Sequence, residues 1–323
     1  MTDAVNVSGL KKRFGEVEAV AGISFSVHQG ELFGFLGPNG AGKTTTINML
    51  TGLARPDSGT FSIGGIDCLE NPRGAQHLIG VVPDESNLYP ELSGFDNLCF
   101  CGALYGMRKA DREARARGLL NSFGLAGAGG RKFGGYSKGM KRKLTIAAGI
   151  MHSPGILFLD EPTTGIDVAS ARQVRSLIQE LHDSGTTIFL TTHYIEEAER
   201  LCGRIAFIVS GRIVKTDTVE NLLQPILKKH VVHITCESLA EGIREDLASS
   251  FQGLAFTLPQ NSMIRAEADS PVPVGPVVRF LEEAGAVVLE ARRIRPSLED
   301  VFVEVTGIES NAMQSEKRNG GGR

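Results

Sequence analysis

Eight residues limit the fold of this chain more than any others. The string GPNGAGKT at 37–44 follows an apolar run, ELFGFL at 31–36, and opens a helical pattern from about Lys43 to Leu53. A strand that ends in a glycine-rich turn and re-enters as a helix is the setting in which Gly, four residues, Gly, Lys and Thr hold phosphates. Gly37, Gly40 and Gly42 let backbone N–H groups approach phosphate oxygens with no Cβ in the way. The helix N-terminus adds partial positive charge. Lys43 reaches the β- and γ-phosphates and the Thr44 hydroxyl ligates Mg2+, while Pro38, Asn39, Ala41 and Thr45 complete the cradle. ATP and Mg2+ are therefore the expected cofactors.

A second site completes the chemistry. ILFLDE at 156–161 is a continuous apolar run that ends in two acids, the pattern of a parallel strand buried on both faces. A carboxylate at that end of the sheet faces the phosphate loop. Asp160 is expected to orient Mg2+, directly or through water. Glu161, one residue on, is expected to polarise the attacking water.

The rest of the chain reads as α/β with accessory layers. Residues 4–8 and 20–28 alternate apolar and polar, as half-buried strands do, and residues 90–135 are mostly helical. A helix is expected over 168–183, a buried strand over 186–193, a helix to about Cys202, and a hairpin at 204–214 turning on Ser210-Gly211. A boundary falls near 222–230. Beyond it the order is strand 231–236, helix 238–250, strands 254–258 and 262–268, helix 276–284, strand 287–295. This βαββαβ order is that of a ferredoxin-like module, and a last helix follows at about 297–306. The module's apolar strands at 254–258 and 287–289 are expected to be covered by its own helices or by a copy of itself. The tail 310–323, ending in GGGR, is expected to be disordered.

Charge and cysteine content exclude several classes. Lys plus Arg is 34 against 37 Asp plus Glu, a net charge of −3, which argues against a dedicated nucleic-acid binder. No apolar run approaches the ~18–20 residues of a spanning helix, and the first residues have no apolar core of a signal peptide. A cytoplasmic location is expected. The five cysteines, Cys68, Cys99, Cys101, Cys202 and Cys236, have no disulfide or zinc spacing and read as reduced apolar fillers.

Between the two nucleotide motifs lies YSKGMKRKL at 136–144, which resembles the signature of ATP-binding-cassette ATPases, usually LSGGQ followed by a basic pair. Ser137 and Gly139 match its Ser and second Gly; Lys138 stands for the first Gly and Met140 for the Gln. TGID at 164–167 resembles the family's D-loop, with Asp167 as its acid, and THY at 192–194 places His193 as the switch histidine. Phe14 occupies the position of the aromatic that stacks on adenine. Where the family usually has a Gln touching Mg2+ and the attacking water, this chain has Asp84, followed by Glu85. The resemblance covers about residues 4–223. YSKGMK, the C-terminal module and SLEDVFVEVTG at 297–307 resemble a narrower group, the ATPase subunits of drug-exporter and daunorubicin-resistance-type transporters.

The resemblance implies a P-loop NTPase core with an antiparallel β subdomain and a helical subdomain at about 88–150, together forming a nucleotide-binding domain over 1–223. Residues 230–308 then form an accessory, regulatory α+β module. It also implies two cassettes joined head to tail, each lending Ser137 and the backbone of Gly139 to ATP held by the other. With one phosphate loop in the chain, the second cassette is a copy or a related subunit. A separate integral-membrane permease is the implied partner, which sets the protein on the inner face of the cell membrane and leaves no role for nucleic acid. Leu88, Tyr89, Leu92 and Phe95 fall where the family grips a short permease helix. Lys138, Lys141, Arg142 and Lys143 either attract the nucleotide or form a solvated helix face. A soluble cassette ATPase acting on ribosomes or DNA is the competing reading. Such translation factors normally carry two cassettes in one chain, and the DNA-repair members a long inserted coiled coil.

Overall fold

The computed structural model describes residues 2–308 except 228, 241, 261, 295 and 296, so the expected tail lies outside the described residues. The chain divides into two compact units, one built on the stretch up to Thr218 and one on Val219–Glu304.

The first unit opens with a long hairpin, β1 (Asp3–Phe14) and β2 (Val17–His28), then β3 (Leu32–Leu36) and α1 (Lys43–Leu50). β4 (Ser58–Ile63), β5 (Ile66–Asp67), α2 (Pro72–Gln76) and β6 (Ile79–Val82) follow. Next come α3 (Gly94–Leu104), α4 (Lys109–Ser122) and α5 (Lys138–Gly149), which pack on one another as the helical subdomain. The unit continues through β7 (Ile156–Asp160), α6 (Val168–Asp183), β8 (Thr187–Thr192), α7 (Ile195–Leu201), β9 (Arg204–Val209) and β10 (Arg212–Thr218).

Two sheets result. The first is antiparallel, in the order β2-β1-β4-β5. The second runs β10-β9-β3-β8-β7-β6, parallel from β9 to β6, with β10 antiparallel at one edge. Every residue of β3, β7 and β8 is buried, which explains the apolar runs LFGFL, ILFL and IFL at their centres, flanked in β7 and β8 by buried Asp160 and threonines. Phe25 of β2 lies 5.5–5.9 Å from the rings of Phe33, Phe35 and Phe189, so a phenylalanine cluster joins the two sheets. Offset and tilted ring pairs of this kind add ~0.5–1.5 kcal/mol beyond area burial.

The sequence reading cut β1 and β2 short. They run on to Phe14 and back from Val17 because Asp57 reaches across. Its carboxylate accepts from Lys12 Nζ at 2.9 Å and from the Arg13 N–H at 2.6 Å. α1 ends at Leu50, earlier than expected. The β9–β10 turn is as expected: Ser210 (φ 48°) and Gly211 (φ 74°) are both left-handed, the pair a type I′ hairpin needs. Gly211 also lies against the phosphate loop, donating its N–H to Ala41 O at 3.0 Å. Its carbonyl accepts the Ala21 N–H at 2.8 Å, and a Cβ at Gly211 would lie 2.9 Å from Ala19 O.

The second unit contains α8 (Val219–Leu227), β11 (His230–Cys236), α9 (Ile243–Ser250), β12 (Ala255–Gln260), β13 (Met263–Ala268), α10 (Val274–Glu283), β14 (Val288–Ile294) and the start of α11 (Leu298–Thr306). Its sheet order is β12-β13-β11-β14, all antiparallel, the 4-1-3-2 order of the ferredoxin-like module. Val232, Ile234, Ile264 and Phe256 form its core with Ile243 and Leu247 of α9 and Val277 and Leu281 of α10. The expected cover of its outer strands is partial: Phe256 is buried, but Leu258, Val287 and Leu289 are exposed. The five cysteines are free; Cys68, Cys202 and Cys236 are buried, and burial pushes the Cys68 thiol up to about 11.

Candidate functional site

The phosphate loop joins β3 to α1, so its glycines are set by the core beneath them. Gly42 caps α1 in the left-handed region at φ 104°, and a Cβ there would sit 2.4 Å from Ala19 O. No other residue combines that φ with that approach. Lys43 is buried at the first turn of α1. Its Nζ donates to Gly37 O at 2.7 Å and Pro38 O at 3.1 Å, and lies 3.3 Å from Glu161 Oε1. The loop borders a cleft of about 390 Å³. Asn39, Gly40, Thr44 and Thr45 line it on one side, Val17, Glu18 and Ala19 of β2 on another, and Asp84, Glu161 and His193 across from the loop.

Glu161 follows the last residue of β7 with φ 50°, a left-handed conformation that costs a non-glycine residue ~1–2 kcal/mol. The surroundings hold it there. Its N–H donates to Thr191 O at 3.1 Å, and its Oε2 accepts from Thr164 Oγ1 at 3.0 Å and meets His193 Nδ1 at 2.7 Å. Burial pushes its carboxyl up, but the His193 hydrogen bond, the Lys43 ammonium and Thr164 outweigh burial, so it stays below the ordinary glutamate value. An ionised Glu161 makes Nδ1 of His193 the donor. Lys43, Glu161 and His193 thus form one buried chain at the mouth of the phosphate loop, an ion pair followed by a hydrogen bond. Asp160 is buried beside it, its Oδ1 accepting from the Thr191 hydroxyl.

Glu197 of α7 supports this arrangement from behind. Its Oε2 accepts from Thr163 Oγ1 at 2.8 Å and Thr192 Oγ1 at 3.3 Å, tying the loop after Glu161 to the residue before His193. Its Oε1 accepts no hydrogen bond and lies 3.9 Å from Arg175 Nη1. Burial, only partly offset by Thr163 and Arg175, raises its carboxyl above the ordinary glutamate value. At pH values between the ordinary and the raised one, the folded chain holds a proton that the unfolded chain releases. The resulting stabilisation is complete below the ordinary glutamate range and is lost as pH rises through the raised value. Glu197→Gln keeps an acceptor for both threonines and removes that titration. We expect the variant's melting temperature to fall less than the wild type's as pH rises from the ordinary glutamate range. Equal pH slopes in thermal melts would refute this.

Eight residues expected at the site do not line the cleft: Gly37, Pro38, Ala41 and Asp160, which lie in or beside the phosphate loop, and Phe14, Ser137, Gly139 and Asp167. Phe14 sits at the β1–β2 hairpin tip, 54% exposed, with Lys12 Nζ 5.3 Å from its ring centroid; the next strand contributes Val17, Glu18 and Ala19 instead. Ser137 caps α5, accepting the Met140 N–H at 3.3 Å. Asp167 caps α6, accepting from the N–H and hydroxyl of Ser170 at 2.9 and 2.7 Å, bonds that lower its carboxyl pKa. Gly139 approaches Ser170 so closely that a Cβ would fall 2.2 Å from its Oγ. The starts of α5 and α6 are therefore neighbours and form a patch of their own.

The basic cluster of α5 splits. Lys138 is exposed, Lys141 Nζ lies 5.6 Å from the Phe133 ring centroid, and Lys143 donates to Gln173. Arg142 fits neither reading given to the cluster: it is buried and donates to backbone carbonyls. Arg142, Thr164, Thr191 and Glu197 are the site residues that sequence reasoning missed. Among the described residues no set of three or more His, Cys, Asp or Glu could hold a metal ion alone. Thr44, Asp160 and Asp84 are hard oxygen donors. So small a set fits Mg2+, which keeps much of its coordination for water and phosphate oxygens.

A family model described as ABC transporter matches residues 20–164. The doxorubicin resistance ATP-binding protein of Mycobacterium tuberculosis is 38% identical over 318 residues, covering 94% of this chain and 93% of that protein. The linearmycin resistance ATP-binding protein of Bacillus subtilis is 35% identical over 312 residues, covering 94% and 98%. Among solved structures, an ATP binding subunit of an ABC transporter superposes with a TM-score of 0.63 at 29% identity, over 69% of this chain and 93% of that one.

Proposed function

This chain belongs to the ABC transporter family, and on that premise we propose that it binds and hydrolyses ATP to power export of a drug-like or natural-product-like small molecule through a separate membrane permease. The observation that carries the proposal is the buried chain Lys43–Glu161–His193 at the mouth of the phosphate loop. Lys43 binds the β- and γ-phosphates. Glu161, kept ionised by its neighbours, takes up proton density from the attacking water. His193, with Nδ1 committed to Glu161, has its other ring nitrogen for the γ-phosphate. Mg2+, bound through Thr44, Asp160 and Asp84, would neutralise phosphate charge.

The resistance relatives support a substrate of that class. The separate Ser137–Gly139–Asp167 patch supports a second copy of the chain as the group that completes the site, since none of the three lines the chain's own cleft. Tyr89, Phe100 and Leu104 form an exposed apolar surface on and beside α3, with the Tyr89 and Phe100 rings edge to face at 5.2 Å. That surface is a fitting seat for an apolar permease helix and supports a position on the cytoplasmic face of the membrane. Among the described residues no helix is long and apolar enough to cross a membrane. The test is an ATPase assay on the purified chain together with affinity capture from membranes and from ribosomes. Hydrolysis with co-capture of an integral-membrane protein is expected; capture with ribosomes alone would overturn the transport assignment.

A further inference from the structure

Arg142 is a buried charge to which the proposed reaction gives no task. It projects from α5, five residues after the Ser137 cap, a rise of about 7.5 Å along the helix. Its Nη1 donates to the Pro83 carbonyl at 2.6 Å, and its Nη2 donates to the carbonyls of Asp84 at 3.0 Å and Glu161 at 2.8 Å. The Asp84 carboxylate lies 3.6 Å from Nη2. Pro83–Asp84 leaves β6 and Glu161 leaves β7, neighbouring parallel strands. One guanidinium thus spans the two loops that carry acids into the cleft.

The chemistry of the contact explains the choice of arginine. A guanidinium presents several N–H donors in a fixed planar fork and cannot lose its charge in a protein, so it can hold three carbonyls at once. A lysine ammonium offers a single point of charge on a flexible stem. One of the three carbonyls belongs to Glu161, whose backbone is in the left-handed region and must be held against relaxation. The same helix begins at Ser137, and Gly139 in its first turn packs on Ser170 beside the Asp167 cap.

We infer that Arg142 is a positioning residue that sets the Glu161 and Asp84 backbones and makes their placement depend on how the Ser137 end of α5 is seated. Arg142 takes no part in proton transfer and touches no reacting atom; it acts through Glu161. The inference rests on the ATPase reading above and adds a mechanical condition to it. When the Ser137 end of α5 engages nucleotide held by another copy, the rigid helix carries the change to Glu161.

The experiment measures ATP hydrolysis against ATP concentration for the full chain, Arg142→Gln and Arg142→Lys, each with and without Glu161→Gln. Misplacement of a reacting group by about 1 Å can cost on the order of 10²-fold in rate, and a loss of that order in kcat is expected for Arg142→Gln. The KM for ATP should stay within about threefold, since the phosphate loop is untouched. Arg142→Lys should recover part of the rate, because it restores the charge without the fork. In the Glu161→Gln background Arg142→Gln should add almost nothing, because the group it positions is already disabled. Losses that multiply in the double variant, or a loss confined to KM, would overturn the inference. If Arg142→Gln fails to fold, Arg142→Lys decides: a lower kcat at constant KM supports it, and an unchanged kcat overturns it. A wild-type chain that hydrolyses no ATP removes the ATPase reading and this inference with it. A wild-type rate matched by Arg142→Gln removes only the inference.

Discussion

Replacing Lys43 with Ala should abolish most ATP binding. The ammonium is the cation at the phosphate loop, and hydrogen bonds to charged groups are worth ~1.5–3 kcal/mol each. Serving two phosphates, it should account for a loss of affinity on the order of 10²-fold or more. The structure adds a second cost. Lys43 Nζ fastens the carbonyls of Gly37 and Pro38 and offsets the Glu161 carboxylate at 3.3 Å. Without it the loop loses its internal tie, and burial is less opposed in raising the Glu161 carboxyl. Equilibrium binding of a fluorescent ATP analogue measures the effect. An unchanged dissociation constant would show that the phosphates are held elsewhere.

Glu161→Gln should separate binding from chemistry. The amide is nearly the size of the carboxylate and can still accept from Thr164 or His193, so the cleft keeps its shape. It cannot accept the proton of water, and removing a general base typically costs ~10²-fold or more in rate. Lys43 also loses a negative neighbour, which leaves its charge more fully available to phosphate. The variant should therefore accumulate with ATP bound and sediment as a dimer in the presence of ATP. Hydrolysis at the wild-type rate would remove Glu161 from the role of base.

What the sequence made legible was local. A phosphate loop has its geometry written in adjacent residues, because the backbone itself makes the site. The buried strand at 156–160 was legible because a parallel sheet covered on both faces favours apolar runs, and the strand at 187–192 from its β-branched and aromatic residues, TIFLTT. Ser210-Gly211 announced its own turn. The residues that escaped are those whose partners lie far along the chain. Arg142 reads as one more cation in a basic run, yet the carbonyls it holds are 59, 58 and 19 residues away. Glu197 reads as one of three glutamates on an exposed helix; only the fold brings Thr163, 34 residues off, to its carboxylate. Lys12 and Arg13 lie beyond the strand read over 4–8, and only the contacts with Asp57, more than forty residues on, carry the strand through them. Phe14 was placed by position alone, and the fold puts it on an exposed hairpin tip.

At the Ala19 carbonyl, β2, the phosphate loop and the β9–β10 turn meet backbone to backbone, with Gly42 and Gly211 both facing the same oxygen. No side chain stands between them to absorb a change. That matters for the interpretation of natural variation. A Gly211→Ser allele reads as a polar substitution in a hairpin turn more than 160 residues from the phosphate loop, the kind a sequence-based screen would pass as benign. Its added atoms would press on Ala19 and, through the Gly211–Ala41 hydrogen bond, on the loop itself. Genetically it would behave as a nucleotide-site lesion carried by a residue with no place in any nucleotide motif.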